Sequence, residues 1–165
     1  MTGDPDGRRR RTVLSAVGGL VAASSLAGCL GGGGNGDASG LDESGAVPEE
    51  EEPAYDGWLD DVPNYEGTAD LRGESEVTVE VGTGNDGMRF TPPAILIDPG
   101  TEVTWEWTGQ GGQHNVVDSD GAFESDLVAD GGHTFSHTFD DPDVYRYLCT
   151  PHQAQAMKGA VAVEE

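Results

Sequence analysis

From residue 58 onward the chain is a succession of short segments in which apolar side chains fall on every second residue. "EVTVEVG" places Val77, Val79 and Val81 on one face, and "EVTWEW" does the same with Val103, Trp105 and Trp107. "HTFSHTF" alternates through Phe135 and Phe139, "DVYRYLC" through Tyr145, Tyr147 and Cys149, and "GAVAVE" through Val161 and Val163. A period of two is the mark of a strand with one face in a core, and a helix cannot bury such a pattern. "AILI" and "HNVV" add two short apolar runs, and the clusters "GTGNDG", "DPGT", "GQGG", "ADGG" and "DDPD" supply turns between them. About seven to eight short strands so spaced predict an all-β fold, an antiparallel sandwich or Greek-key barrel. Ala122 to Val128 is the stretch that could hold a turn of helix, and no internal repeat is visible.

The N-terminus has a different texture. In "RRRRTVLSAVGGLVAASSLAGCL", four arginines precede a weakly apolar run from Val13 to Leu26. That run is too short and too rich in Gly, Ser and Ala for a membrane span, and it has the order of an export signal. Arg10 and Arg11 followed by "TVL" resemble a twin-arginine signal, of the kind that exports chains already folded. "LAGC", Leu26 to Cys29, resembles a lipobox, with Cys29 as the lipidated new N-terminus. Residues 1–28 are therefore expected to be removed. Residues 29–57, Gly-rich and then acidic through "EEEE" at Glu49 to Glu52, read as a flexible tether with no core-forming pattern. Residues 58–165 are expected to form the folded domain.

The charge narrows the partners. Thirty-one Asp and Glu against eight Lys and Arg give a formal net charge of −23. Nucleic acid is excluded as a ligand, because its phosphates need Lys and Arg, and so is docking on anionic lipid through the folded surface. Self-repulsion of this size weakens a compact state in dilute buffer. Concentrated salt shortens the Debye length to about 3 Å at 1 M and relieves it. The acid excess is that of a protein built for high salt.

If Cys29 carries lipid, Cys149 has no intrachain partner, and a lone thiol in an exported domain is an oxidation hazard unless something occupies it. Its surroundings suggest what. "YLCTPHQAQAM" puts Cys149, His152 and Met157 on one tight loop, in a chain with two cysteines and three methionines. Thiolate, imidazole and a weak thioether suit copper, whose trigonal His2Cys site with an axial Met needs one more histidine. His114, after a Gly-rich turn and at the start of a strand, is the best placed to enter such a site. His137, between Phe135 and Phe139, reads as a core or edge histidine, and His133, after "DGG", as a turn residue. Taken singly, Cys149 could be an inert buried thiol and Met157 simple core, and a Cys/His set could hold zinc. Structural zinc, however, prefers closed Cys and His sets without Met.

"YLCTPHQAQAM" together with "HNVV" resembles the copper site of the blue copper proteins, the cupredoxins, in their plastocyanin and amicyanin branch. The acid excess, export signal, lipobox and tether are similar to those of membrane-attached blue copper proteins of salt-loving archaea. The resemblance covers about residues 58–165 and implies a cupredoxin-like Greek-key sandwich. It implies one copper ion held by His114, Cys149, His152 and Met157, and Asn115 tying the two ligand loops by hydrogen bonds. "TGQGGQ" stands where plastocyanins commonly have a proline before the first histidine, which leaves partner recognition open.

The expected function is one-electron transfer between respiratory-chain partners at the outer face of the membrane, through redox proteins that are membrane-bound or peripheral. Tyr147 reads as core packing, with a second electron route as the alternative. A monomer is expected, and no enzyme: full coordination leaves no open position for a substrate, and two spare histidines cannot build further copper clusters. A copper-handling lipoprotein is the alternative, disfavoured by the scarcity of methionine.

Overall fold

The computed structural model describes residues 45–165. The arginine-rich signal, Cys29 and the tether as far as residue 44 lie outside the described residues. Each alternating segment is a strand. In chain order they are β1 (Ala69–Asp70), β2 (Glu76–Thr83), β3 (Arg89–Thr91), β4 (Ala94–Ile97) and β5 (Thr101–Trp107), then β6 (Val117–Asp118), β7 (Thr134–Phe139), β8 (Val144–Leu148) and β9 (Lys158–Val163). They form a five-stranded sheet ordered β1-β4-β9-β8-β6 and a four-stranded sheet ordered β3-β2-β5-β7. The result is a β-sandwich of two sheets.

The pairing is mixed rather than antiparallel as expected. β1 with β4, β2 with β5, and β4 with β9 run parallel, and the remaining pairs antiparallel. A period of two fixes which face a side chain takes but not the direction of the neighbouring strand. The chain leaves the four-stranded sheet after β3, lays β4 in the other sheet, and returns as β5 beside β2 in the same direction. The turn of helix allowed over Ala122–Val128 is also absent. Two isolated bridges hold that stretch, Val117 with Glu124 and His114 with Val128, so its backbone pairs with the His114 segment instead of with itself.

Val79, Val81, Val103 and Trp105 meet Ile95, Ile97, Val161 and Val163 between the sheets. Trp105 is the hub, with Phe123 at 5.2 Å, Tyr147 at 5.4 Å and Phe135 at 5.7 Å between ring centroids. Fully burying an aliphatic side chain of this size contributes about 1.5–3 kcal/mol. Tyr147 reaches over Gly159, its cross-strand partner, where a Cβ would come within 2.3 Å of the ring. Tyr147 is fully buried and its hydroxyl has no hydrogen-bond partner; burial pushes its pKa up.

The largest departure from expectation is at the start of the domain. Residues 46–57 belong to the folded structure, not to a solvated tether. Ala46 bridges to Ala69, and Val47, Tyr55, Leu59 and Val62 pack on Ala94, Leu96, Ala160 and Ala162. This strap covers the outer face of β4 and β9, which are consequently buried on both faces. Glu52, assigned to a solvated charge run, accepts hydrogen bonds from the hydroxyls of Tyr65 and Thr68, each at 2.5 Å. Tyr55 meets the Thr68 hydroxyl at 2.7 Å. Burial, aided by Glu52, pushes the Tyr65 pKa up to about 12.

Candidate metal centre

Cys149 directly follows β8, and the pleat turns its sulfur into the core, where the residue is fully buried. The chain then winds through a 3-10 turn over Thr150–Gln155, with Pro151 at its start. Ala156 reverses it in the left-handed conformation, at φ 55°. Met157 thereby returns beside Cys149, and is itself fully buried. The loop is closed by its own backbone: the Cys149 N–H donates to the Met157 carbonyl at 3.0 Å, the His152 N–H to Cys149 at 3.1 Å, and the Met157 N–H to His152 at 3.2 Å.

His114 arrives on the other loop, after β5. Reciprocal backbone bonds with Val128, at 2.8 and 2.9 Å, hold it, and the Trp107 indole N–H donates to its carbonyl at 3.1 Å. Its ring is buried, and Nε2 sits 2.7 Å from the Gln110 carbonyl. A carbonyl can only accept, so Nε2 carries the proton and Nδ1 keeps its lone pair. That Nδ1 faces the Cys149 sulfur at 3.6 Å and His152 Nδ1 at 3.1 Å, while His152 Nδ1 lies 3.4 Å from the sulfur. Two imidazole nitrogens and one sulfur thus converge on a single point. Among the described residues this is the one such grouping of His, Cys, Asp or Glu donors.

The electrostatics match the donor set. Burial lowers the pKa of His114, and the neighbouring His152 adds to this against the pull of the Gln110 carbonyl. The imidazole is therefore held neutral, the form that binds a metal. Burial raises the pKa of the Cys149 thiol, partly offset by backbone N–H groups of Asn115 and His152 aimed at the sulfur. In the metal-free chain the proton stays on sulfur, and a metal ion must displace it. A soft sulfur and two imidazole nitrogens within a few ångströms of one another, with Cys149 and His114 buried, fit copper.

Asn115 links the two loops. Its Oδ1 accepts from the Thr150 N–H at 2.8 Å and its Nδ2 donates to the Thr150 hydroxyl at 3.2 Å. The remaining histidines lie elsewhere. His133 packs edge-on against Trp107 at 4.9 Å, and His137 lies on β7 between Phe123 at 5.0 Å and Phe139 at 4.8 Å. Three glycines that sequence reasoning passed over as turn formers wall the His114 side. Gly82 stands at the register shift between β2 and β3, where a Cβ would lie 2.7 Å from the Gln110 carbonyl and 3.3 Å from His114 Nε2. Gly111 and Gly87 touch backbone to backbone: a Cβ on Gly111 would lie 2.0 Å from the Gly87 carbonyl oxygen and 2.9 Å from His114 Nε2. The "GQGGQH" spacing was the available signal, a run too glycine-rich for a simple turn.

Fold and site together define a class, the single-copper β-sandwich. Residues 76–164 match the family of copper binding proteins, plastocyanin/azurin family, and the chain belongs to that family. It is 51% identical over 162 residues to halocyanin of Natronomonas pharaonis, a likeness covering 94% of this chain and 97% of that one. It is 32% identical over 104 residues to plastocyanin of Scenedesmus fuscus, covering 54% of this chain and all of the other. The solved structure of oxidized plastocyanin from Dryopteris crassirhizoma is 26% identical and aligns with a TM-score of 0.45, over 53% of this chain and 99% of that one.

Proposed function

We propose that this protein is a one-electron carrier held at the outer face of the cell membrane, with His114, Cys149, His152 and Met157 as the ligands of one copper ion. The observation that carries the reading is the convergence of His114 Nδ1, His152 Nδ1 and Cys149 Sγ within 3.1–3.6 Å of one another. Copper supplies the Cu(II)/Cu(I) couple. The chain's part is to hold its donors in one arrangement through both states. His114 is locked by the Gln110 carbonyl and the Val128 bridge, and Cys149 and Met157 are tied backbone to backbone. Small reorganisation on electron transfer follows from that rigidity. His152 is half-exposed where His114, Cys149 and Met157 are buried, and it stands beside exposed Pro151, Gln153 and Ala154. It is the donor a partner can reach, so electrons pass through its ring edge. No donor position is left for a substrate, and we assign no catalysis.

Residues 1–28 serve as the export signal, Cys29 carries the lipid, and the tether spans 29–44, shorter than composition suggests because the strap is folded. Likeness to halocyanin over 94% of the chain supports a shared organisation of this segment. No helix among the described residues is long and apolar enough to cross a membrane. Donor and acceptor are respiratory-chain redox proteins.

Voltammetry of the copper-loaded full chain in concentrated salt tests this reading. One reversible one-electron wave is expected, and it should vanish in Cys149→Ser. An irreversible wave, or one that survives the substitution unchanged, overturns it.

A further inference from the structure

The ligand loop leaves Met157 into β9, and the first residues of β9 are gripped from outside by the N-terminal strap. The indole N–H of Trp58 donates to the Gly159 carbonyl at 3.0 Å, across 101 residues of chain. Lys158, between Met157 and Gly159, sends its ammonium to both carboxylate oxygens of Asp61, at 2.8 and 2.9 Å. The same ammonium stands 5.1 Å from the centre of the Trp58 ring. Lys158 is one of only four basic residues in the 45–165 segment, and its Asp61 has a carboxyl held below its usual range by this hydrogen bond. The rest of the strap is anchored away from the start of β9, by Val47, Tyr55, Leu59 and Val62 on β4 and the middle of β9 and by Arg146 to Asp56 at 2.6 Å. Trp58 is thus fixed to a rigid base on one side and to the exit of the ligand loop on the other.

We infer that Trp58 is a positioning residue of the metal centre: through Gly159 and Lys158 it fixes where β9 begins, and so where Met157 returns to Cys149. This rests on the reading of Met157 and Cys149 as ligands. The link is short. The Met157 carbonyl accepts from the Cys149 N–H at 3.0 Å, so a displaced β9 start moves both ends of the loop. A strap serving only to cover Ala160 and Ala162 would need apolar contact alone, without a directed N–H and a bidentate ion pair at the one point where the loop enters the strand.

Two variants of the full chain separate the roles. Trp58→Phe keeps an aromatic ring but removes the N–H. Tyr55→Phe removes a bond from the same strap, to Thr68, that does not touch β9. In the metal-free chain, amide exchange at Cys149 and Met157 is expected to quicken about fivefold or more in Trp58→Phe, as loss of one hydrogen bond worth about 1 kcal/mol implies, and to stay unchanged in Tyr55→Phe. In the copper-loaded chain, the reduction potential and the copper hyperfine splitting should move in Trp58→Phe alone. If Trp58→Phe only lowers the melting temperature, as Tyr55→Phe does, and leaves exchange, potential and splitting where they were, the inference is wrong. The metal-free arm decides the positioning role even if the parent chain shows no copper–thiolate spectrum, a result that would overturn the ligand reading instead.

Discussion

His114 is delivered by a loop walled in by the backbone of its neighbours, whereas Cys149, His152 and Met157 come on a loop closed on itself. On the first side, Gly82, Gly87 and Gly111 let three backbone segments meet with no Cβ between them. The Gln110 carbonyl can then reach His114 Nε2 at 2.7 Å. On the second side, Pro151, Gln153, Ala154 and Gln155 are exposed; Arg89 donates to the Gln155 carbonyl at 3.3 Å, and the rest of the order comes from the bonds joining Cys149, His152 and Met157. The difference separates two tasks. One histidine is buried and immobilised, and the other is half-exposed on a loop whose outer residues face solvent. The Asn115–Thr150 bonds are where the two meet.

Substitutions on the two sides should therefore differ sharply. The largest effect is expected for Gly111→Ala. Its φ of 77° already disfavours a side chain, and the new Cβ would meet the Gly87 carbonyl, which cannot rotate away. A loss of about 3–5 kcal/mol in urea unfolding is expected, with impaired copper uptake. If stability holds within error, the walled description of the His114 loop is wrong. Asn115→Ala should cost less, about 1–2 kcal/mol for two hydrogen bonds, while weakening copper retention because the loops can part. Chelator competition against the parent chain measures that.

The smallest expected effect is a slope with pH in the metal-free chain. His114 has its pKa lowered in the folded state. As pH falls below the ordinary histidine value of 6.5, the unfolded chain takes up a proton that the folded chain refuses, and stability declines. Cys149 has its pKa raised. Above the ordinary thiol value of 9.0 the unfolded chain releases a proton that the folded chain keeps, and stability declines again. Denaturant midpoints across this range should show a plateau between the two values. The lower edge should flatten in His114→Gln, and a midpoint that keeps its acid slope in that variant would assign the slope to other groups.

Much of this was legible in the residues. The alternating valines and aromatics marked the faces of β2, β5, β7, β8 and β9, and the "CTPH" loop with "HN" upstream marked Cys149, His152 and His114, whose side chains the fold brings together. Two things were hidden for physical reasons. Strand direction leaves no trace in a period of two. The strap is irregular, its buried residues Val47, Tyr55, Leu59 and Val62 scattered among Asp, Glu, Pro and Gly at no fixed spacing. A sign of it did exist in "AILI" and "AVAV", where the apolar residues do not alternate with polar ones. Ile95, Ile97, Val161 and Val163 face the main core, and Ala94, Leu96, Ala160 and Ala162 face outward. A strand apolar on both sides needs a cover on both sides, and the three outward alanines make room for one.

The most direct test of the copper assignment is a titration of the metal-free full chain with Cu(II) in concentrated salt, followed by visible absorption and electron paramagnetic resonance. An intense blue band that saturates at about one equivalent, with a narrow copper hyperfine splitting, is the expected result for a thiolate with two imidazoles in a trigonal plane. A weak band with a wide, tetragonal-type splitting, or preferential uptake of zinc, would contradict it.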